Sequence, residues 1–246
     1  MPGLKGNSLR LKYRFMIELR PFLSLGRFQN DWLNAHYHFS FADYADPARV
    51  SWGKLRVWND DEIRAGTGFP PHGHRDMEIV TYIRKGVLTH EDGLGNRGHT
   101  RAGDVQVMSA GSGITHSEFN LEGEDALIFQ IWIMTAQKSA QPRWENRQFP
   151  GIERSGRWVA LASGRTGDGD ALRINQDAAV LGAHLEPGET VDFGFKDRFG
   201  YLVPAKGRVR ANGLLVDARD GLAIAGEERV VFEAIDSSEL VLVETA

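Results

Sequence analysis

The chain has 246 residues, a formal net charge of −4, 25% charged and 41% hydrophobic residues, and no cysteine. That balance is ordinary for a globular chain able to bury one large core or two smaller ones. The lack of a long basic run argues against direct contact with nucleic acid, and the missing cysteines exclude disulfides and thiolate metal ligands. Any metal must therefore use His, Asp or Glu, and the composition fits a reducing, cytoplasmic setting.

The first residues, MPGLKGNSLRLKYRFMIELRPF, are basic, but no apolar signal-like stretch follows them. Residues 1–15 read as a disordered N-terminal extension, with Met16 as a second candidate translation start. Met16 to Leu19 reads as a short strand. Leu25 to Tyr44 is aromatic-rich and contains His36-Tyr37-His38, an H-x-H pair that reads as packing because no carboxylate pattern accompanies it. Lys54 to Trp58 alternates like a strand, and Asn59 to Glu62 reads as a polar turn before Ile63.

Phe69 to Asn120 concentrates the chemistry, with five of the eight histidines. Residues two apart on a strand point to the same face. His72-Gly73-His74 therefore sets two imidazoles side by side, and His116-Ser117-Glu118 sets an imidazole beside a carboxylate. If the two strands face each other, three nitrogens and one oxygen converge in a set suited to a divalent first-row metal with open coordination positions. Turn-rich punctuation at 84–86, 92–96 and 101–104 divides the stretch into short strands, the pattern of a sandwich or barrel.

Ala126 to Met134 reads as a buried central strand. It is interrupted by Gln130 and is too short to span a membrane. Ala136 to Gly151, with two prolines and many polar residues, is the candidate linker. Beyond it, short strand-like segments run from Trp158 to Val243, with turns at 167–169, 187–188, 212–213 and 220–221. The expected division is 16–145 for a first domain carrying the metal site and 146–246 for a second lacking metal ligands, since the latter holds only His184.

HGH followed by Glu78 and Gly86 resembles the first cupin motif, and Gly103, Gly111, His116 and Asn120 resemble the second. The wording PPHGHRDMEIVTYIRKGVLTHEDGLGN with MSAGSGITHSEFN is more specific. It resembles the pirin family, and most closely the bacterial pirin-like quercetin 2,3-dioxygenases. The resemblance implies an all-β bicupin, two tandem jelly-roll-like β-barrels with only the first loaded with metal.

Two carboxylates compete for the fourth ligand position. General cupins would nominate Glu78, four residues after His74 and inward-facing on a straight strand. The pirin pattern nominates Glu118, which is preferred here. Glu78 is left as an outer residue orienting a histidine, and Asp76 is a weaker candidate on the same parity. The implied reaction is cleavage of a flavonol such as quercetin at the 2,3 bond with O2, releasing carbon monoxide, with Glu118 also the base that takes the 3-hydroxyl proton. Phe69, Met108, Phe119 and Trp132 are candidate walls for the flat substrate. One metal per chain is expected, iron first, with nickel, cobalt, manganese, copper or zinc also suited to the donors. The alternative the resemblance allows is a metal-bearing regulatory module that binds a protein partner.

Overall fold

The structure, a computed structural model, describes residues 16–246, so the expected extension over 1–15 lies outside them. Segments rich in branched and aromatic residues, separated by Gly, Asn and Asp turns, form strands throughout. The first six are β1 (Met16–Arg20), β2 (Gly26–Gln29), β3 (Leu33–Tyr37), β4 (Leu55–Ile63), β5 (Thr67–His74) and β6 (Met77–Lys85). The next six are β7 (Val87–Asp92), β8 (Arg97–Arg101), β9 (Val105–Ser109), β10 (Ile114–Asn120), β11 (Ala126–Met134) and β12 (Arg143–Arg147). The second half contributes β13 (Val159–Ser163), β14 (Leu172–Arg173), β15 (Ala178–Leu185), β16 (Thr190–Gly194) and β17 (Phe199–Lys206). It closes with β18 (Val209–Ala211), β19 (Leu214–Val216), β20 (Gly221–Ala225), β21 (Arg229–Ala234) and β22 (Ser238–Thr245).

These strands build two cupin domains of the same design. A seven-stranded sheet, β12-β9-β6-β11-β4-β3-β2, is backed by a four-stranded sheet, β5-β10-β7-β8. The second domain repeats this with β1-β20-β17-β22-β15-β13-β14 and β16-β21-β18-β19. The expected closed barrels are open, cupin-like sandwiches, because among the described residues no ladder joins the small sheet of either domain to its large one.

The largest apolar cluster lies between the two seven-stranded sheets. Trp58, Val80, Tyr82, Phe129, Ile131 and Ile133 from the first domain meet residues such as Val180, Tyr201, Val203 and Val241 from the second. Strand β11 sits between β6 and β4 and is buried on both faces. Phe129, Ile131 and Ile133 point to the domain interface, while Ile128 and Trp132 point into the first sandwich with Gln130 between them.

Several local expectations change. Asn59 to Glu62 is no turn but the second half of β4, and buried Asp60 is satisfied there by Arg84 and Arg219. Strand β1 pairs with β20, so the opening strand completes the second domain's sheet. The linker candidate contains β12, which pairs with β9 and is cut by a division at 145/146. His36 packs on Phe22, and fully buried His38 meets the Tyr201 hydroxyl at 2.9 Å. His184 lies 3.3 Å from Glu239. Among the described residues no helix is long and apolar enough to cross a membrane.

Candidate metal centre

The centre is built on the small sheet of the first domain, where β5 and β10 pair with His72 directly opposite His116. The register then slips, so that Glu118 opposes Phe69. The extra residue falls at Pro70-Pro71, which the sheet tolerates because β5 is an edge strand whose missing N–H groups break no ladder. His72, His74 and His116 converge, with ring centroids 4.5 to 5.0 Å apart and one nitrogen from each within 4.8 Å of the others. On the far side of β10, strand β7 sets His90 opposite Glu118 and Asp92 opposite His116.

Two of the imidazoles are held by one ring nitrogen each. His72 Nδ1 lies 2.8 Å from the Pro70 carbonyl, an acceptor only, so Nδ1 carries the proton and Nε2 is left with its lone pair. Buried His116 turns Nδ1 to His90 at 3.3 Å, and its Nε2 has no hydrogen-bond partner among the described residues. Burial, reinforced by the neighbouring histidines, lowers the His116 pKa to about 2; burial and His72 lower that of His74 to about 4. Both rings are neutral at pH 7. An orphaned, buried, neutral nitrogen facing two further imidazoles fits a metal ion, since an unpaired polar atom is otherwise costly.

Glu118 is clamped from the opposite sheet. Its carboxylate accepts hydrogen bonds from Gln106 Nε2 and, at 2.9 Å, from Gln130 Nε2. Each amide is oriented by a donor on its own oxygen: the Thr100 hydroxyl at 3.0 Å and the Trp132 indole N–H at 3.0 Å. Burial nevertheless dominates and raises the Glu118 pKa to about 7, the two amides offsetting part of the effect. Gln106 and Gln130 belong to a polar row that runs in register across the large sheet, Asn59-Gln130-Thr81-Gln106-Asn146. Asp61, also buried, is pushed well above the usual carboxylate range by burial, then by Asp60 and Glu118.

Residues 20–133 match the family model described as Pirin, and 160–245 match the quercetinase C-terminal cupin domain. A pirin-like protein of Caulobacter vibrioides is 56% identical over 94% of this chain and 100% of its own length. The chain belongs to the pirin family. The quercetin 2,3-dioxygenase of Escherichia coli K12 is 38% identical over 92% of this chain and 97% of its own. The crystal structure of the E. coli pirin YhhW in complex with nickel(II) superposes with a TM-score of 0.87 at 37% identity, covering 94% of this chain and 99% of that one.

Within this pirin frame, the residues singled out from the sequence separate into two groups. His72, His74 and His116 come together, while Glu118 groups with His116 and His90 and shares only His116 with that trio. Glu78 does not join: it faces the second domain, accepting from Ser109 Oγ at 2.5 Å and Asn175 Nδ2 at 3.2 Å. The even offset from His74 misleads because Asp76, at φ 50°, turns the chain from the small sheet to the large one and resets the parity. Asp76 itself accepts from the Ser139 amide at 2.6 Å.

Phe119 is likewise corrected. It alternates with inward Glu118 and lies on the outer face of the small sheet with Pro71, Thr89 and Leu121. Met108 is interior, packed with Ile79, Ala110 and Ile114. Trp132 and Phe69 do flank the imidazoles, at 4.9 Å from His74 and 6.2 Å from His72. Phe69 also lines an apolar groove of about 450 Å³ with Phe28, Leu33, Tyr37, Phe41 and Tyr44. Phe41 packs edge-on to Trp132 at 5.4 Å, so aromatic rings run from the groove to the histidines.

Sequence reasoning missed Gln106, Gln130, Asp61, His90 and Asp92. A signal existed for two pairs of them. Gln130 and Gln106 are lone amides inside apolar strands, and His90-Glu91-Asp92 repeats the alternate spacing of HGH and HSE.

Proposed function

We propose that this pirin is a metal-dependent dioxygenase that cleaves a flavonol such as quercetin at the 2,3 bond, consuming O2 and releasing carbon monoxide. The observation that carries the reading is the convergence of three imidazoles, one of them with a buried, unpartnered Nε2, beside a buried carboxylate. The similarity to the E. coli quercetin 2,3-dioxygenase supports it. His72, His74, His116 and Glu118 would hold the ion, iron or another first-row divalent metal such as nickel. The metal supplies a Lewis-acidic centre with positions left for substrate oxygen and the electronic coupling to O2.

The chain supplies the rest. Burial raises the Glu118 pKa in the metal-free protein to about 7, which makes it a stronger base than an ordinary carboxylate and suited to accept the flavonol 3-hydroxyl proton. Gln106 and Gln130 keep the carboxylate in place before and after that transfer. Trp132 and Phe69 offer flat apolar faces to the rings, and the groove beyond Phe69 gives a phenyl substituent somewhere to lie.

The test is aerobic incubation of protein loaded in turn with iron, nickel, cobalt, manganese and copper, following flavonol absorbance and carbon monoxide. Turnover is expected only with O2, is expected to be abolished in His116→Ala, and should slow as pH falls and Glu118 becomes protonated. Metal-loaded protein that leaves quercetin intact with every ion would overturn the enzymatic reading in favour of a metal-bearing protein-interaction module.

A further inference from the structure

We propose that His90 and Asp92 form a positioning dyad that fixes the tautomer of His116, so that its Nε2 lone pair faces the metal position. The inference rests on the metal-binding reading above, and it follows from hydrogen-bond direction alone.

Asp92 is the anchor. Its Oδ1 accepts from the backbone N–H of Leu94 at 2.9 Å and of Asn96 at 3.0 Å, and its Oδ2 accepts from Asn96 Nδ2 at 2.9 Å. A carboxylate so fixed can only accept, so His90 Nε2, 3.1 Å from Oδ2, must carry the proton. A neutral ring that donates through Nε2 keeps its lone pair on Nδ1. That lone pair meets His116 Nδ1 at 3.3 Å, so the His116 proton resides on Nδ1 and its Nε2 is bare. His90 is fully buried, so no water competes for these bonds.

The ring cannot rotate out of this role. His90 stacks on Trp144 at 4.6 Å and 5° between planes. Trp144 comes from β12 and lies over Gly98, where a Cβ would sit 2.3 Å from the indole. His90, His116 and Glu118 also bring ligand atoms within 4.8 Å of one another. A metal there would need a His90 nitrogen, and both are already engaged, Nε2 with Asp92 and Nδ1 with His116.

Two measurements on the full-length protein test this. In the metal-free state, nitrogen-15 spectra of the histidines should show His116 as the Nδ1–H tautomer. Nickel(II) affinity, read by chelator competition, should fall roughly 10- to 100-fold in His90→Phe, which keeps the stack but has no acceptor. His90→Asn places a carbonyl oxygen where Nδ1 was and should restore affinity to within roughly threefold of wild type. An Nε2–H tautomer at His116, or wild-type affinity in His90→Phe, would overturn the dyad while leaving the metal reading intact. Failure of the wild type to bind nickel would overturn both. Two tightly bound ions per chain would instead make His90 a ligand and end its positioning role.

Discussion

The two sandwiches share one design, a seven-stranded sheet over a four-stranded one, yet their interiors differ in kind. The second is filled by a single apolar cluster in which Leu181, Leu202, Leu222, Leu242, Phe195 and Phe232 interdigitate. The interior of the first is split. Leu33, Ile63, Ile83 and Ile128 form one small cluster and Ile79, Met108, Ala110 and Ile114 another. Between them lies a polar band that includes Gln106, Gln130, Thr81, Glu118 and His116, all buried. The fold tolerates this because Gln106, Gln130, Thr81 and Glu118 bond to one another or to neighbours, and because the broad apolar contact between the two large sheets supports both domains. The polar band thus occupies one row of an otherwise apolar interior without altering the architecture.

The largest expected effect breaks the apolar half. Phe232→Ala, in the second core, should lower folding stability by about 3–5 kcal/mol while metal stoichiometry is unchanged, read by chemical denaturation and elemental analysis. Next comes the buried acid of the first half. The Glu118 pKa is raised in the folded state, so its stabilising contribution is complete below about 4.5 and lost as pH rises through about 7. Metal-free wild type should therefore lose up to about 3 kcal/mol relative to Glu118→Gln across that window. Equal pH profiles for the two proteins would contradict the assignment.

Gln130→Leu makes the first interior more like the second. It removes one of the two donors to Glu118 and should cost about 1–3 kcal/mol at pH 8, little at pH 4 where the carboxyl is neutral, and weaken metal binding. The smallest effect is expected from Glu78→Gln. It should shift stability by about 0.5–1.5 kcal/mol through the Ser109 and Asn175 contacts and leave metal affinity at the wild-type value. Loss of the metal in that variant would return Glu78 to the site.

Much of this was legible in the sequence because it depends on alternation within single strands. HGH and HSE each announce a face, β11 declares itself by its apolar run, and the shortage of histidine after 146 separates the halves. What alternation cannot carry is any count across a turn. Glu78 and Phe119 were misplaced for that reason and for its mirror image: Asp76 reverses the parity between two sheets, and Phe119 follows the plain alternation that puts it outside. Polar residues in mid-strand were misread too, since Asn59 to Glu62 look like a turn until Arg84 and Arg219 arrive to pair Asp60.

Local periodicity is enough for the all-β character, the two tandem domains and the histidine-rich strand pair. Packing of the sheets is what lets β1 complete the second sheet, the two glutamines clamp Glu118, and His90 stand behind His116. Those contacts join residues brought together by sheet order and sandwich packing, and no spacing along the chain encodes them.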